Sequence, residues 1–314
     1  MTRLETIAVA AALLSAGLAT AQDASATPPT ERIAIQHTYT VGEKDLLTYK
    51  IHEESRAHET VAGLSSDLKL SLTVEPGPSK GEKLVKVTLE RVLATVTADG
   101  QLVKEVDSDH PETLLPNMPL DVLNDITFRA VLDASGAVKR FAGAEQFVEK
   151  AKMKFDSPEK KKETLTAINA GLQQLFEGPF VYLPDQPVAV GEKWAVSRKV
   201  YGLPIMGARS LKKEQVYCCL AEVKNAQNGR VAVIEVTGTD TVLEAGSPTD
   251  PKVMTKTGKV EYDFVNGDLV SHHLELTGTS TIPMPEDQEL KFVKTMVIDT
   301  ALSPAPKGAS KAVK

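Results

Sequence analysis

Six histidines, two cysteines and one tryptophan hold most of the reactive or irreplaceable side-chain chemistry in this 314-residue sequence. The stretch "HEESRAHE" carries His52 and His58. On one strand they would share a face, but they would stand ~20 Å apart, too far for a single metal ion to bridge. His272 and His273 are neighbours and offer one ring to each face of a strand. His272 falls among apolar residues, which reads as a core or rim histidine rather than a ligand or base. Cys218 and Cys219 are also adjacent, in "QVYCCLAEV". Consecutive strand residues point apart, so two packed thiols are expected rather than a mutual disulfide. G-x-S-x-G, H-E-x-x-H, a phosphate-binding P-loop, G-x-G-x-x-G and C-x-x-C are all missing from the sequence. The chain is therefore expected to be non-catalytic, without metal or cofactor.

The tryptophan lies in "LPDQPVAVGEKWAV", residues 183–196. Pro184 and Pro187 cannot extend a sheet ladder, and Gly191 can turn the chain. Trp194 then opens a strand, and its alternation with Lys193 and Ala195 turns the indole inward. This reads as a fold element that closes the sheet over the helical pair, with a cavity-lining contact as the alternative.

Composition narrows the rest. Apolar residues make up 42% and charged residues 25%, so a sizeable core can be buried. A net charge of −6 and only 5% aromatics give no footprint for nucleic acid. Residues 1–21 read as a secretory signal peptide: an apolar run from Ile7 to Leu18 precedes Ala19-Thr20-Ala21. Residues 22–30 read as a linker, 31–300 as a single β-rich domain and 301–314 as a disordered tail. No later segment is apolar for the ~18 residues that a membrane span needs. The expected location is periplasmic or extracellular.

Periodicity supplies the elements. "LKLSLTVE" alternates, with Leu68, Leu70, Leu72 and Val74 on one face, and "ITFRAVLD" does so with Ile126, Phe128, Ala130 and Leu132. Similar runs cover roughly 33–41, 45–60, 83–98, 192–200, 213–224, 229–243, 256–280 and 289–300, so the sheet should be antiparallel. A three-residue loop, Val265-Asn266-Gly267, is expected to put Val260, Tyr262 and Phe264 on the face of Val270, His272, Leu274 and Leu276. Helical spacing interrupts the strands at 143–155 and 158–177. Phe147, Ala151 and Phe155 line the first helix; Leu165, Ile168, Leu172, Leu175 and Phe176 line the second. Ser157-Pro158 caps the second helix and Gly178-Pro179 stops it.

Three motifs together resemble an uncharacterised family of exported bacterial proteins. They carry Gly136, Val138 and Gly143; then Pro184, Pro187, Val188, Val190, Gly191 and Trp194; then Gly258, Tyr262, Phe264, Gly267 and Leu269. The resemblance implies the half-barrel of lipoprotein carriers and lipid-binding envelope proteins. That fold is a β-rich α+β arrangement in which a strongly curved antiparallel sheet wraps two amphipathic helices packed on its apolar face. The expected partner is a lipid or other hydrophobic small molecule held between sheet and helices. Candidate lining residues are Trp194, Phe176, Leu172, Tyr262, Phe264 and His272. The alternative is an envelope interaction protein with a filled core. More than ~300 Å³ of apolar void favours the binding module.

Overall fold

A computed structural model describes residues 31–113, 126–201, 211–227, 229–243, 253–283 and 289–305. The expected signal peptide, the linker up to residue 30 and the tail beyond residue 305 lie outside the described residues. Twelve strands form one antiparallel sheet: β1 Lys44–Ala57, β2 Thr60–Pro76, β3 Lys83–Ala98, β4 Gln101–Asp107, β5 Thr127–Leu132, β6 Val138–Ala142, β7 Lys193–Tyr201, β8 Leu211–Ala226, β9 Gly229–Val242, β10 Val253–Asp263, β11 Asp268–Pro283 and β12 Glu289–Pro304. The order across the sheet is β6-β5-β3-β2-β1-β12-β11-β10-β9-β8-β7, and β4 pairs with the C-terminal half of β3. The sheet does not close on itself, which makes it a half-barrel with β6 and β7 at its edges. β12 runs to Pro304, four residues past the expected boundary at 300.

Two helices follow β6: α1, Ala144–Lys150, and α2, Pro158–Glu177. The second starts as the sequence indicates, with Ser157 Oγ accepting from Lys160 N at 3.2 Å. The first is shorter than the expected 143–155. Lys152 adopts φ +50°, Lys152 N donates to Glu149 O at 3.0 Å, and Met153 N donates to Val148 O at 3.1 Å. This pair of bonds is a Schellman turn, which ends the helix while Phe155 still packs on the core. Helical spacing of apolar side chains therefore outlasts the helix itself.

Helix α2 contacts both β6 and β7, the two edges of the open sheet. Gln174 bonds β7 as a neighbouring strand would. Its Oε1 accepts from Tyr201 N at 2.8 Å, and its Nε2 donates to Lys199 O at 2.6 Å. Backbone groups on an edge strand need partners, and one amide side chain supplies two of them.

Buried side chains occupy the concave face in two groups. One joins Leu47, Tyr49, Leu68, Leu70, Leu72, Val85, Val87, Phe128 and Ala130 to Phe147, Ile168, Leu172 and Phe176 of the helices. The other joins Ile33, Ile35, Tyr182 and Val188 to Val216, Cys218, Leu220, Ile234, Val236, Val260, Tyr262 and Leu274. Cys218 is buried on the inner face, where burial pushes its thiol up to about 12, and Cys219 lies half-buried on the other side. Segment 33–41, expected as a strand, is extended but unpaired apart from one bridge, Ile33 to Val188. Its alternation reports burial of Ile33, Ile35 and Tyr39, not membership of the sheet.

The β10–β11 hairpin corrects the expected loop. Four residues, Phe264 to Gly267, connect Asp263 to Asp268, and Asp263 Oδ1 accepts from Val265 N and Asn266 N at 3.0 and 3.1 Å. Gly267 takes φ +81°, the left-handed conformation expected of it. The register then shifts at Tyr262 through a bulge at Val270, which is exposed. Leu269 is buried in its place. Beyond the bulge Val260 faces His272, so the even-to-even pairing returns. His58 is another departure. It sits outside β1, in the turn to β2 at φ +54°, and so shares no strand face with His52.

The stretch around Trp194 is a fold element. Val188 pairs with Ile33, and Arg32 donates to Pro187 O at 2.8 Å and to Glu192 Oε1 at 2.9 Å. Gly191 turns at φ +87°. Trp194 then lies half-buried against the second core group, with Nε1 donating to Tyr182 O at 3.1 Å. Tyr182 ends a short 3-10 segment, Gly178–Tyr182, that follows α2. The indole thus closes the sheet over this segment rather than over the helical pair.

Candidate functional site

Three segments far apart in sequence meet at the mouth of the half-barrel and enclose an open cleft of about 570 Å³. The first is the unpaired run 35–39, which contributes Ile35, His37 and Tyr39. The second is the β5–β6 turn, Ser135 to Val138. Asp133 Oδ1 fixes that turn by accepting from Ser135 N, Ser135 Oγ and Ala137 N at 2.9, 2.6 and 3.1 Å. Gly136 has φ +90°, and a Cβ there would come within 3.3 Å of His37 O. The third is the end of α2 with the 3-10 segment, which contributes Phe176, Glu177, Phe180 and Leu183.

Rings form one wall. His37 stacks on Phe180 with centroids 3.9 Å apart and meets Tyr39 edge-on at 4.3 Å, while Tyr39 stacks on Phe176 at 5.4 Å. His37 Nδ1 lies 3.0 Å from Gly267 O and 3.1 Å from Tyr262 Oη. Burial lowers the imidazole to about 4, so the ring is neutral at pH 7. Its Nε2 is buried and has no partner among the described residues. Burial raises the Glu177 carboxyl, and Gln173 Nε2, which donates to Glu177 Oε1 at 2.9 Å, opposes that shift.

A second polar feature lies deeper on the concave face. Glu214 is fully buried on β8, with Arg198 of β7 beside it, Asp240 of β9 across from it and Lys256 of β10 reaching back to it. Lys256 Nζ is also 2.9 Å from Asp240 Oδ1, and Tyr182 Oη donates to Glu214 Oε1 at 2.7 Å. Burial works to raise the Glu214 carboxyl, but Lys256 and Arg198 overcome it and hold it down to about 2. His272 stacks on Tyr182 at 5.6 Å and bonds Thr300 Oγ1 through Nδ1 at 2.9 Å. Burial, with Lys256 and Arg198 adding to it, lowers this imidazole to about 3. Two positive and two negative side chains pack together as a structural ion cluster, in which Lys256 and Asp240 meet as an ion pair and Asp240 Oδ1 and Arg198 Nη1 make no hydrogen bond among the described residues.

Of the six residues proposed from sequence, Phe176 lines the cleft. Leu172 points from α2 into the core, and Trp194 bonds Tyr182 O. Tyr262 is buried, but its hydroxyl supports His37 from behind the wall. Phe264 lies beneath the Arg230 guanidinium at 5.3 Å, and His272 lies beside the ion cluster, stacked on Tyr182. Sequence reasoning missed His37, Tyr39 and Phe180. The signal for the first two was the odd-numbered pattern Ile33, Ile35, His37, Tyr39, which places a histidine in an otherwise apolar series. Among the described residues no three His, Cys, Asp or Glu side chains converge to hold a metal ion, and no helix is long and apolar enough to cross a membrane.

The sequence profile of a family of unknown function, DUF6263, matches residues 80–250, more than half of the chain. The chain belongs to this family. A search of curated proteins returned no match. Among solved structures, a lipovitellin determined for its lipid–protein interactions aligns with 86% of this chain at 12% identity and a TM-score of 0.44. This chain spans only 26% of that lipovitellin. An outer-membrane channel from Pseudomonas putida F1 aligns over 85% of this chain and 97% of its own, at 8% identity and a TM-score of 0.25. A DUF1329-family protein from Desulfovibrio piger aligns over 84% and 87%, at 10% identity and a TM-score of 0.19.

Proposed function

We propose that this protein is an exported, non-catalytic binding module that holds a lipid or other hydrophobic molecule in the cleft walled by Tyr39, Phe176 and Phe180. Export rests on the pattern of Ile7–Leu18 followed by Ala19-Thr20-Ala21. The observation that carries the binding reading is the cleft itself. At about 570 Å³ it falls within the size range of small-molecule sites, and it pairs an aromatic wall with a few fixed polar groups. Its floor is the edge of the core, where Ile35, Tyr39 and Phe176 are buried, and its open side lets a ligand enter without parting the sheet from the helices. The filled-core alternative gives these rings a packing role only.

Ala137 lines the cleft with an exposed side chain. Its backbone holds the turn and the residue is exposed, so Ala137→Trp should fill the cleft and leave the fold intact. Mass spectrometry of organic extracts from natively purified protein is expected to find an apolar species at near one copy per wild-type chain and at least tenfold less with Ala137→Trp. Equal amounts from both, at matched melting temperatures, would place any ligand elsewhere and reject the cleft.

A further inference from the structure

We infer that the open edge of β7 takes up an extended acidic peptide as an added antiparallel strand, with one carboxylate opposite Lys193 and another opposite Lys199.

The edge strands of the sheet differ in how they are protected. β6 has only five residues and a register shift against β5 at Val131 and Leu132, and β4 meets β3 through another shift at Val96 and Thr97. β7 pairs Lys193 to Tyr201 with β8 in unbroken register and contains no proline. A regular edge is a template for a further strand, and bulges or proline are the usual means of blunting one. Along a strand, alternate residues direct N–H and C=O to the same side. Gln174 marks the side away from β8, because it bonds Lys199 O and Tyr201 N. Ala195 and Ser197 therefore turn N–H and C=O to the open edge, where they meet no partner among the described residues. Both residues are exposed, and unpaired backbone groups at such a position face water.

Side chains on the outer face decide what can pair there. Along β7 they are Lys193, Ala195, Ser197, Lys199 and Tyr201, and opposite them on β8 stand Cys219, Tyr217, Gln215, Lys213 and Leu211. None of these is acidic. Lys193, Lys199 and Lys213 are exposed and make no ion pair among the described residues. A second copy paired about a two-fold axis, with Ala195 opposite Ser197, would set Lys193 of each copy against Lys199 of the other. Like charges directly opposite are destabilising, so the edge disfavours its own kind. A foreign strand with a carboxylate opposite each lysine gains where a second copy loses. Its alternate side chains would lie on the inner face beside Trp194 and Val196, both half-buried, so apolar residues suit those positions.

The probe is rhodamine-labelled Glu-Val-Thr-Val-Ser-Val-Glu-amide, titrated with the full chain and followed by fluorescence anisotropy. Binding should saturate, and it should weaken about tenfold when both glutamates become glutamine. Lys193→Glu with Lys199→Glu should reverse the preference, so that a peptide ending in lysines binds instead. In this register the Thr and Ser amides of the peptide point at β7 and the central Val amide points away. N-methylation of Thr and Ser should abolish binding, and N-methylation of the central Val should leave it. Ser197→Pro removes an N–H that faces away from β8, so the variant should keep its melting temperature within a few degrees and lose the peptide. Failure of the parent peptide to bind, or equal binding of the glutamine peptide, overturns the inference. So does undiminished binding after N-methylation of Thr and Ser. A dimer in sedimentation that Ser197→Pro dissolves would give the edge to a second copy and overturn it as well. If Ser197→Pro does not fold, the N-methylated peptides on the wild-type chain still decide.

Discussion

Glu214→Gln is expected to destabilise the protein by about 3–5 kcal/mol. Glu214 is the centre of the buried ion cluster: Arg198, Lys256 and the Tyr182 hydroxyl all converge on its two oxygens. Neutralising it leaves Lys256 with Asp240 as its remaining ion-pair partner and Arg198 without its own, and the Lys256 side chain is buried where water cannot easily replace the lost charge. Much of the cost is the stranded charge rather than the lost attraction, and that distinction can be measured. Glu214→Leu combined with Lys256→Met removes one charge of each sign. The pair should be less destabilising than the sum of the single changes by roughly 2 kcal/mol. Urea denaturation of the four proteins gives the comparison. A Glu214→Gln variant as stable as wild type would mean that the cluster is wetter and looser than its geometry shows.

Acid should weaken the fold well before the Glu214 carboxylate titrates. His272 and His37 are held down to about 3 and 4, mainly by burial. In the unfolded chain both titrate near 6.5. For a base whose folded value is depressed, stability is fully present above the unfolded value and is lost as pH falls toward the folded one. Between pH 6.5 and 4 the two rings together should remove roughly 6 kcal/mol, about half from each. Asp45 acts in the opposite direction. Burial, with Glu43 and Asp268 adding to it, raises its carboxyl to about 6, so it destabilises the fold above that pH and relieves it below. Asp45→Asn should therefore raise stability at pH 7.5 and have little effect at pH 4. His272→Gln should flatten the decline between pH 6.5 and 4. A stability profile that stays level from pH 7 to pH 4 would mean that these rings are hydrated.

Alternation made the sheet legible. Leu68, Leu70, Leu72 and Val74 are buried as their parity requires, as are Phe128, Ala130 and Leu132. Ser157-Pro158 marked the start of α2 because capping is local chemistry. The bulge at Val270 was not legible, since one extra residue changes the register only where a partner strand exists to be shifted against. The end of α1 was missed for a related reason: Phe155 keeps the apolar spacing after the backbone has turned at Lys152. Arg198, Glu214, Asp240 and Lys256 all sit at inward positions of their strands, so each could be read as a buried charge. Their mutual pairing depends on strand order, which parity does not contain. The cleft was least legible, because residues near 37, 136 and 180 meet only once the sheet has curved and α2 has bridged its edges.

The location of a bound ligand is the most direct test of the account. Ile35, Val138, Val181 and Leu183 line the cleft and carry methyl groups, whereas Leu68, Leu70 and Leu172 lie in the core between the sheet and α2. Protein labelled at these methyls and saturated with monocaprin, a neutral lipid with a ten-carbon acyl chain, should show nuclear Overhauser contacts from the acyl chain to Val138, Val181 and Leu183, and none to Leu68, Leu70 or Leu172. Contacts confined to the core leucines, or no contacts at all, would contradict the cleft as the binding site.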